Sequence, residues 1–367
     1  MVNKDKLIGI AGQFRLNGKV TDISPLGAGF INDTFLVFTD GNKTPSYILH
    51  RKNHVVFPDV PAMMENIRKV TEHIKAKVSD PERQTLTVIS ALDGKLYHKD
   101  SDGNFWAVCL YIGGSKSYTV ADTEELARQG GIGLGEFHLL VSDFHEPLTE
   151  IIKGFHNMRF RFSQWDASVA ADKAGRVASV KEEIEWIESR REVMMAFREK
   201  IEKGVFPVRA THNDTKISNF LFNAADGSLL CAIDLDTLMS STILNDVGDA
   251  LRSYTNTGAE DDADLSRVGM SMGMFKAYIG GYLSKMKDIL TDEEVGALAF
   301  SGLYITFEQV LRFLMDYIDG DTYYKTAYPE HNLVRTRAQY KLLQSMESQL
   351  EQMNAYVESC VRTGVVK

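Results

Sequence analysis

The sequence predicts an α+β fold with a small, β-rich N-terminal lobe and a larger, mostly helical C-terminal lobe. Short runs rich in β-branched and aromatic residues, such as DTFLVFT and SYILHR, recur through about the first hundred residues, as expected of strands. From Thr123 onward, apolar residues recur mostly at helical spacing. At 367 residues the chain is long enough for two lobes. We place the boundary after Ile112, which gives lobes of residues 1–112 and 113–367.

The N-terminal lobe is predicted to contain strands with one intervening helix. VTDISPL, DTFLVFT and SYILHR form the first strands, separated by GAGFIN and by the turn DGNKTP. A helix over residues 60–77 follows, and TLTVIS and FWAVCLYI form two further strands. The apolar residues of the helix recur on one face: Met63, Met64, Ile67, Val70 and Ile74.

The C-terminal lobe is predicted to be helical apart from one hairpin. TEELARQGGIGLGEFHLLVSDF and SVKEEIEWIESRREVMMAFREK indicate helices, as do residues 265–290, 293–318 and 333–361. NFLFNAADGSLLCAIDLD instead indicates two strands joined by a turn at Asp226-Gly227.

The glycines of GGIGLGEFHLL imitate a dinucleotide-binding fingerprint. That fingerprint works between a strand and a helix, and no strand precedes Gly131, Gly133 and Gly135. We interpret them as sites of close helix packing.

Composition excludes several classes of protein. A net charge of −9 argues against nucleic acid as the main partner. Cys109, Cys231 and Cys360 lie far apart, so we expect neither a disulfide framework nor a structural zinc site, and a reducing compartment suits the chain. The N-terminal residues lack the pattern of a signal peptide, and no apolar run is long enough to span a membrane. We therefore expect a soluble, cytoplasmic protein with no membrane partner.

The stretch THNDTKISNF concentrates polar groups among strand-forming residues, and packing alone does not explain them. The hairpin that follows can bring Asp214, Asn219 and Asp234 to one place. Their carboxylate and amide oxygens are ligands that suit Mg²⁺ with substrate phosphates. Period-two alternation predicts that Asp234 and Asp236 point to the same face of their strand.

These motifs resemble those of known kinases. HNDTKISN fits the spacing H-x-D-x-x-x-x-N of protein kinases and of aminoglycoside and choline kinases. IDLD resembles the metal-binding segment of the same superfamily, and NDVGDALR resembles the helix start that follows it. The chain is therefore similar to the aminoglycoside phosphotransferase and choline kinase branch of the protein-kinase-like superfamily. The resemblance implies a bilobal kinase fold that uses ATP and Mg²⁺.

The resemblance implies a role for each polar residue of the motif. Asp214 would be the catalytic base, and Lys216 would neutralise the transferring phosphoryl group. Asn219 and Asp234 would hold Mg²⁺. Taken singly, such residues are more often turn residues or helix caps, and only their joint spacing favours the kinase interpretation.

Two further residues of these motifs would support the loop. His212 would orient its backbone by hydrogen bonds, and Asp246 would brace it or cap a helix. Asp236 could instead be a surface carboxylate.

The N-terminal lobe would bind the nucleotide. LGAGFIND resembles the glycine-rich loop that folds over phosphates, and CLYIGG resembles the linker whose backbone pairs with adenine. Alone, the first is also typical of a hairpin turn and the second of an edge strand. The residues expected to bind the cofactor are Gly27, Gly29, Asn32, Leu110, Tyr111 and Ile112.

The third strand departs from the kinase pattern. His50 occupies the position where the resemblance expects a lysine, and Arg51 should point to the other face. Lys52 could serve instead. Neither Glu65 nor Glu72 is clearly the ion-pair partner of such a lysine, so a nucleotide-binding pseudokinase remains an alternative.

Long C-terminal stretches resemble a narrower family. FLMDYIDGDTYYKTAYPEHNLVRTRAQYKL and YILHRKNHVVFPD are similar to N-acetylhexosamine 1-kinases. This resemblance implies phosphorylation of the anomeric hydroxyl of N-acetylglucosamine or N-acetylgalactosamine. The alternative is a kinase of another small hydroxyl acceptor, such as choline, homoserine, methylthioribose or an aminoglycoside.

One helix face has two interpretations. Glu308, Arg312 and Asp316 recur at four-residue spacing opposite an apolar stripe. They form either a solvated row of salt bridges or a polar face that binds the acceptor. The family resemblance favours the second, with Arg312 and Tyr323 contacting the substrate.

Overall fold

The structure is a computed structural model that describes residues 3–26, 32–41 and 44–362. Its strands are β1 (Val20–Pro25), β2 (Asp33–Thr39), β3 (Tyr47–Lys52), β4 (Val88–Ile89), β5 (His98–Lys99), β6 (Phe105–Leu110), β7 (Ser115–Lys116), β8 (Arg209–Thr211), β9 (Phe220–Asn223), β10 (Leu229–Ala232) and β11 (Met239–Ser241). Its helices are α1 (Lys4–Ala11), α2 (Val60–Lys75), α3 (Pro81–Gln84), α4 (Glu124–Leu140), α5 (Met158–Ala171), α6 (Lys181–Glu188), α7 (Arg191–Glu202), α8 (Ile243–Thr255), α9 (Met272–Met286), α10 (Asp292–Asp319) and α11 (His331–Arg362).

The chain forms two compact units, each built from separate segments. The first unit comprises Met1–Ser117, Asp143–Lys153 and Phe220–Ser240. The second comprises Tyr118–Ser142, Gly154–Asn219 and Ser241–Lys367. The predicted α+β class is confirmed, because the first unit contains an antiparallel sheet and the second is mostly helical. A lobe boundary after Ile112 stays a prediction.

The main sheet of the first unit has the strand order β1-β2-β3-β6-β4, with β5 also paired to β6, and all neighbours are antiparallel. Tyr47 and Leu49 of β3 pack in the apolar core between this sheet and α1. Since side chains alternate along a strand, His50 and Lys52 lie on the opposite face. The sheet therefore brings two basic side chains of one strand to the face away from that core.

Helix α2 begins where its sequence signals predict. The Asp59 side chain caps it by accepting a hydrogen bond from the Ala62 amide, and Pro61 occupies the first turn. The predicted apolar face is buried. The Asn66 side chain donates to the carbonyls of Thr149 and Leu238, each at 2.9 Å, which ties α2 to two distant segments of the same unit.

The predicted hairpin is present, but its second strand ends early. β9 and β10 are joined by a turn in which Gly227 has a φ of +76°, as a left-handed turn position requires. β10 ends at Ala232, and Asp234 adopts a left-handed φ of 55° before a 3-10 turn over Leu235–Thr237. The prediction that Asp234 and Asp236 share a strand face is therefore wrong. Asp234 is exposed, whereas Asp236 is buried.

Close helix packing in the second unit confirms the interpretation of the glycine-rich stretch. A Cβ atom on Gly131 of α4 would lie 2.0 Å from the carbonyl oxygen of Tyr278 on α9. Conversely, a Cβ on Gly281 of α9 would lie 2.2 Å from the carbonyl of Arg128. Only glycine permits this approach, so Gly131 serves the close packing of α4 against α9.

The long C-terminal helices have clear boundaries. Thr291 and Glu294 form a capping box at the start of α10, and Gly320 ends that helix with a φ of +94°.

The single helix predicted around residues 179–200 is instead α6 and α7, separated at Ser189 and Arg190. None of the helices in the described ranges is both long and apolar enough to cross a bilayer.

Candidate active site

Residues 212–219 form a loop, which we call the HND loop. Carboxylates of helix α8 hold this loop by accepting hydrogen bonds from the backbone amides of the loop. The amides of His212 and Asn213 donate to the two carboxylate oxygens of Asp246, at 2.8 and 2.6 Å. One turn further along α8, Asp249 accepts from the amide of Thr215 at 2.9 Å. The prediction that Asp246 braces this loop is confirmed.

Asp246 is fully buried, and a buried carboxylate is stable only when its oxygens are hydrogen-bonded. Besides the two loop amides, Nε2 of His138 lies 2.9 Å from Asp246, and Nδ1 of His138 lies 3.0 Å from the hydroxyl of Tyr282. His212 supports the loop from within, because its Nδ1 accepts from the amide of Asp214 at 3.3 Å.

The HND loop presents Asp214 beside two donors. Nζ of Lys216 lies 2.9 Å from Oδ2 of Asp214, and Nδ2 of Asn219 lies 2.8 Å from the same oxygen. Burial alone would raise the pKa of Asp214, but the charge and hydrogen bond of Lys216 bring that pKa below its ordinary value. Oδ1 accepts no hydrogen bond from the part of the chain that the structure describes. The loop therefore offers an ionised carboxylate with one oxygen available to a hydroxyl.

In the first unit, Lys52 forms a buried ion pair with Asp236. Its Nζ lies 2.6 and 2.9 Å from the two carboxylate oxygens, and the side chains are 6% and 4% exposed. Asn32 completes the cluster: its Nδ2 donates to Asp236 at 2.8 Å, and its Oδ1 accepts from the amide of Asn53 at 3.0 Å. Asp236 is thus no surface carboxylate.

Lys52 lies on the same face of β3 as His50, two residues further along the strand. Burial and the nearby charge of Lys52 lower the pKa of His50 to about 3, so the imidazole is neutral. Arg51 points to the other face, where it pairs with Asp33. Period-two alternation in the sequence was the signal that could have identified Lys52.

The acidic residues of α2 do not pair with that lysine. Glu65 and Glu72 both form ion pairs with Arg68 on the same helix. Asp236, which follows the hairpin, takes the place of the expected helix glutamate.

Each residue expected to contact adenine has a backbone group in a hydrogen bond within the protein. The amide of Leu110 donates to Thr87 at 2.8 Å, the amide of Tyr111 donates to Ser46 at 3.0 Å, and the carbonyl of Ile112 accepts from the Ser115 hydroxyl at 2.6 Å. Adenine recognition by this linker stays a prediction. Gly27 and Gly29 lie outside the described residues.

The polar face of α10 is buried in the second unit, so the solvated row of salt bridges is wrong. Glu308 is 2% exposed and contacts His156 and Arg161 at 2.8 and 3.0 Å. Asp316 is 4% exposed and accepts hydrogen bonds from four groups beyond the end of the helix. These four are the amides of Thr322, Tyr323 and Tyr324 and the side chain of Asn332, and the Thr322 hydroxyl donates a fifth, longer hydrogen bond at 3.5 Å.

Arg312 lies between these two carboxylates along α10 but pairs with neither. Its guanidinium carbon lies 5.5, 5.7 and 6.0 Å from the ring centres of Tyr324, Tyr323 and Phe155. Within the described ranges, no carboxylate oxygen lies within 4.0 Å of it. Burial opposes its charge, but the neighbouring Tyr324 and Glu308 raise the pKa of Arg312. The charged guanidinium of Arg312 is therefore surrounded by three aromatic rings and lies one helical turn from Glu308.

The pattern of the APH phosphotransferase enzyme family matches residues 22–269. The chain belongs to this phosphotransferase family. The match includes β2, β3, the HND loop, the hairpin and α8, so both Lys52 and Asp214 fall within it.

Solved structures share the fold of this phosphotransferase. A microcompartment-associated aminopropanol kinase is 15% identical with a TM-score of 0.66, over 95% of this chain and 98% of that one. Choline kinase from Cryptosporidium parvum is 14% identical with a TM-score of 0.58, over 98% and 99%. A spectinomycin phosphotransferase, solved with ADP and spectinomycin, is 12% identical with a TM-score of 0.57, over 97% and 99%. At these identities the likeness establishes the protein-kinase-like fold.

The donor atoms of this phosphotransferase suit Mg²⁺. Nδ2 of Asn219 donates to the carbonyl and carboxylate of Asp214, each at 2.8 Å, so Oδ1 is the atom of this side chain that could bind a metal. Asp234 presents an exposed carboxylate on a left-handed backbone. Amide and carboxylate oxygens are hard ligands of the kind that bind Mg²⁺ together with phosphates.

Removing Asp236 should destabilise the protein much more than removing Asp234. Asp236→Ala leaves the buried Lys52 without its partner, which costs about 3–5 kcal/mol in the free energy of unfolding. Asp234→Asn changes an exposed side chain and keeps a residue type that tolerates the left-handed backbone, so it should change stability little. Urea denaturation in the absence of nucleotide measures both.

The double variant Lys52→Met/Asp236→Leu is the matched control. It replaces the ion pair by apolar side chains of similar size and should recover most of the lost stability. Small and equal losses in the two single variants would contradict the buried ion pair.

Proposed function

We propose that this phosphotransferase is an ATP- and Mg²⁺-dependent kinase that phosphorylates a hydroxyl group of a small molecule. One observation carries the proposal: the ionised Asp214 has one oxygen occupied by Lys216 and Asn219, and its other oxygen is available. The family match and the solved kinases and phosphotransferases of the same fold support it.

The proposed reaction is an in-line transfer of the γ-phosphoryl group. The hydroxyl oxygen of the acceptor forms a bond to the γ-phosphorus, its proton passes to Oδ1 of Asp214, and the bond to the β–γ bridging oxygen breaks to release ADP. Lys216 places a positive charge next to the reacting carboxylate, where it neutralises the transferring group. Mg²⁺, for which Asn219 and Asp234 are the predicted ligands, would neutralise charge on the phosphates.

Lys52 is the proposed phosphate ligand of the first unit. Its ion pair with Asp236 keeps an ammonium group on the face of β3 that kinases use to hold the α- and β-phosphates. The pseudokinase alternative rested on the absence of such a lysine, and Lys52 removes that support.

For the acceptor, we propose an N-acetylhexosamine phosphorylated at its anomeric hydroxyl, the substrate implied by the C-terminal sequence resemblance. Arg312 supports a neutral acceptor, because a cation with no carboxylate within 4.0 Å among the described residues repels a cationic substrate. Its guanidinium can donate to an acetamido carbonyl, and Tyr323, which is 60% exposed, can contact ring hydroxyls.

The second candidate is an amino alcohol or an aminoglycoside. The named activities of the solved neighbours favour this class over the sugar, since those proteins are an aminopropanol kinase, a choline kinase and a spectinomycin phosphotransferase. A kinase for such acceptors would use the same HND loop, and only the acceptor groups that contact α10 would differ.

Replacing the proposed base should abolish most turnover. Asp214→Asn keeps the side-chain shape but removes the negative charge, so kcat should fall by about 10²–10⁴. The KM for ATP should change little, because Asp214 contacts the acceptor. An assay of ADP release with saturating acceptor measures both constants.

Asp93→Asn is the matched control, since Asp93 is an exposed carboxylate in a turn of the first unit, and it should leave kcat unchanged. Near-normal turnover of Asp214→Asn would refute the proposed base.

Arg312 distinguishes the two acceptor classes. If the acceptor is an N-acetylhexosamine, Arg312→Ala should lower kcat/KM roughly 10- to 150-fold, because a charged hydrogen-bond donor is lost. This factor corresponds to a loss of about 1.5–3 kcal/mol in transition-state stabilisation. Arg312→Lys keeps the charge without the planar fork and should give an intermediate value. Kinetics with N-acetylglucosamine, N-acetylgalactosamine, glucose and choline test this.

Glucose, which lacks the acetamido group, should have a lower kcat/KM than the two N-acetylhexosamines. Arg312→Ala should lower kcat/KM less for glucose than for those sugars. Choline as the best acceptor, with a higher kcat/KM in Arg312→Ala, would refute the hexosamine and leave the kinase standing.

A further inference from the structure

Two buried residues with left-handed backbones meet behind the HND loop. His156 has a φ of 52° and Asn213 a φ of 65°, and neither is glycine. Such residues persist only where their surroundings fix them, and they concentrate at functional sites. Nε2 of His156 lies 3.1 Å from the carbonyl oxygen of Asn213. The carbonyl so contacted immediately precedes Asp214 in the chain.

The other ring nitrogen of His156 contacts α10. Its Nδ1 lies 2.8 Å from Oε2 of Glu308, whose Oε1 accepts from Nε of Arg161 at 3.0 Å. A carbonyl and a carboxylate are both acceptors, so both ring nitrogens must carry protons for both hydrogen bonds to form. The geometry therefore requires an imidazolium.

The charges around His156 favour that form. Burial by itself lowers the pKa of His156, but Glu308 raises it by charge and hydrogen bond, and Asp249 on α8 adds to this, so the pKa lies above its ordinary value. Arg161 on α5 and Arg312 on α10 are the nearby cations, and both act on the same Glu308. His156 and Arg161 in turn hold the pKa of Glu308 well below its usual range.

We propose that His156 is a positioning residue for phosphoryl transfer: as an imidazolium held by Glu308, it fixes the carbonyl of Asn213 and thereby the direction of the Asp214 carboxylate. Asp246 and Asp249 accept hydrogen bonds from amides of the loop, and His156 donates to a carbonyl of the loop. Acceptors and a donor therefore together fix the backbone on both sides of Asp214. Because Glu308 precedes Arg312 by one turn of α10, His156 also connects the helix proposed to bind the acceptor to the base. The inference rests on the proposed kinase activity.

The proposal gives kcat a specific pH dependence. The pKa of His156 in the folded protein is above its ordinary value, so both hydrogen bonds are fully present below the ordinary pKa of histidine. As the pH rises through the raised pKa, the ring loses one donor and kcat falls. Glu308→Gln removes the charge that raises the pKa of His156, so the alkaline fall in kcat should move to lower pH.

His156→Gln supplies the second measurement. Glutamine is neutral throughout and can still donate from one nitrogen, so this variant should lack the His156-dependent alkaline fall. Its kcat at neutral pH should be about 10- to 100-fold lower, as expected for a displaced catalytic group, with the KM for ATP nearly unchanged. Ring NMR of His156 in the full-length protein, with and without Glu308→Gln, reports the pKa change independently of turnover.

Glu183→Gln is the matched control. Glu183 is 4% exposed and pairs with Arg337, whose side chain is 47% exposed. Neither residue belongs to the HND loop, so Glu183→Gln removes an ion pair of a buried carboxylate without changing a hydrogen bond of the loop. Its pH profile should match that of the wild type even if its melting temperature falls.

Three results would count against these proposals. An alkaline limb of kcat that Glu308→Gln leaves in place, or a wild-type kcat in folded His156→Gln, would overturn the positioning role while leaving the kinase intact. A wild type that transfers phosphate to none of the acceptors would overturn the proposed function, and the positioning role with it.

Discussion

The candidate site of the second unit depends on one constraint: two carboxylates on α8 accept hydrogen bonds from three backbone amides of the HND loop. Asp246 accepts from His212 and Asn213, and Asp249 accepts from Thr215. A buried aspartate with unsatisfied oxygens would be costly, so the loop and the helix each require the other. These hydrogen bonds hold Asn213 in its left-handed conformation and help to orient the Asp214 side chain.

Much of this could be predicted from the sequence, because the information is local. The spacing of Asp214, Lys216 and Asn219 within one short loop indicated its chemistry, and Asp246 follows at the start of a helix with a clear cap. The glycines of α4 could be assigned to packing because no strand precedes them. In each case a few neighbouring residues carry the signal.

The parts that could not be predicted depend on long-range contacts or on a break in a regular pattern. Lys52 and Asp236 are 184 residues apart in the chain, and nothing near either residue indicates the pair. Period-two alternation failed at Asp234 because β10 ends two residues earlier and the backbone turns left-handed. On α10, four-residue spacing is the same for a solvated face as for a buried one, and only the partners of Glu308 and Asp316 distinguish the two.

The central claim is that the HND loop directs phosphate from ATP to a hydroxyl of a small molecule. Phosphorus NMR of the wild-type protein with ATP, Mg²⁺ and N-acetylglucosamine tests it most directly, since it observes the new bond. We expect a phosphomonoester signal coupled to the anomeric proton of the sugar, growing in step with ADP. ATP consumed only to inorganic phosphate, with no phosphomonoester from this sugar or from choline, aminopropanol or an aminoglycoside, would contradict it.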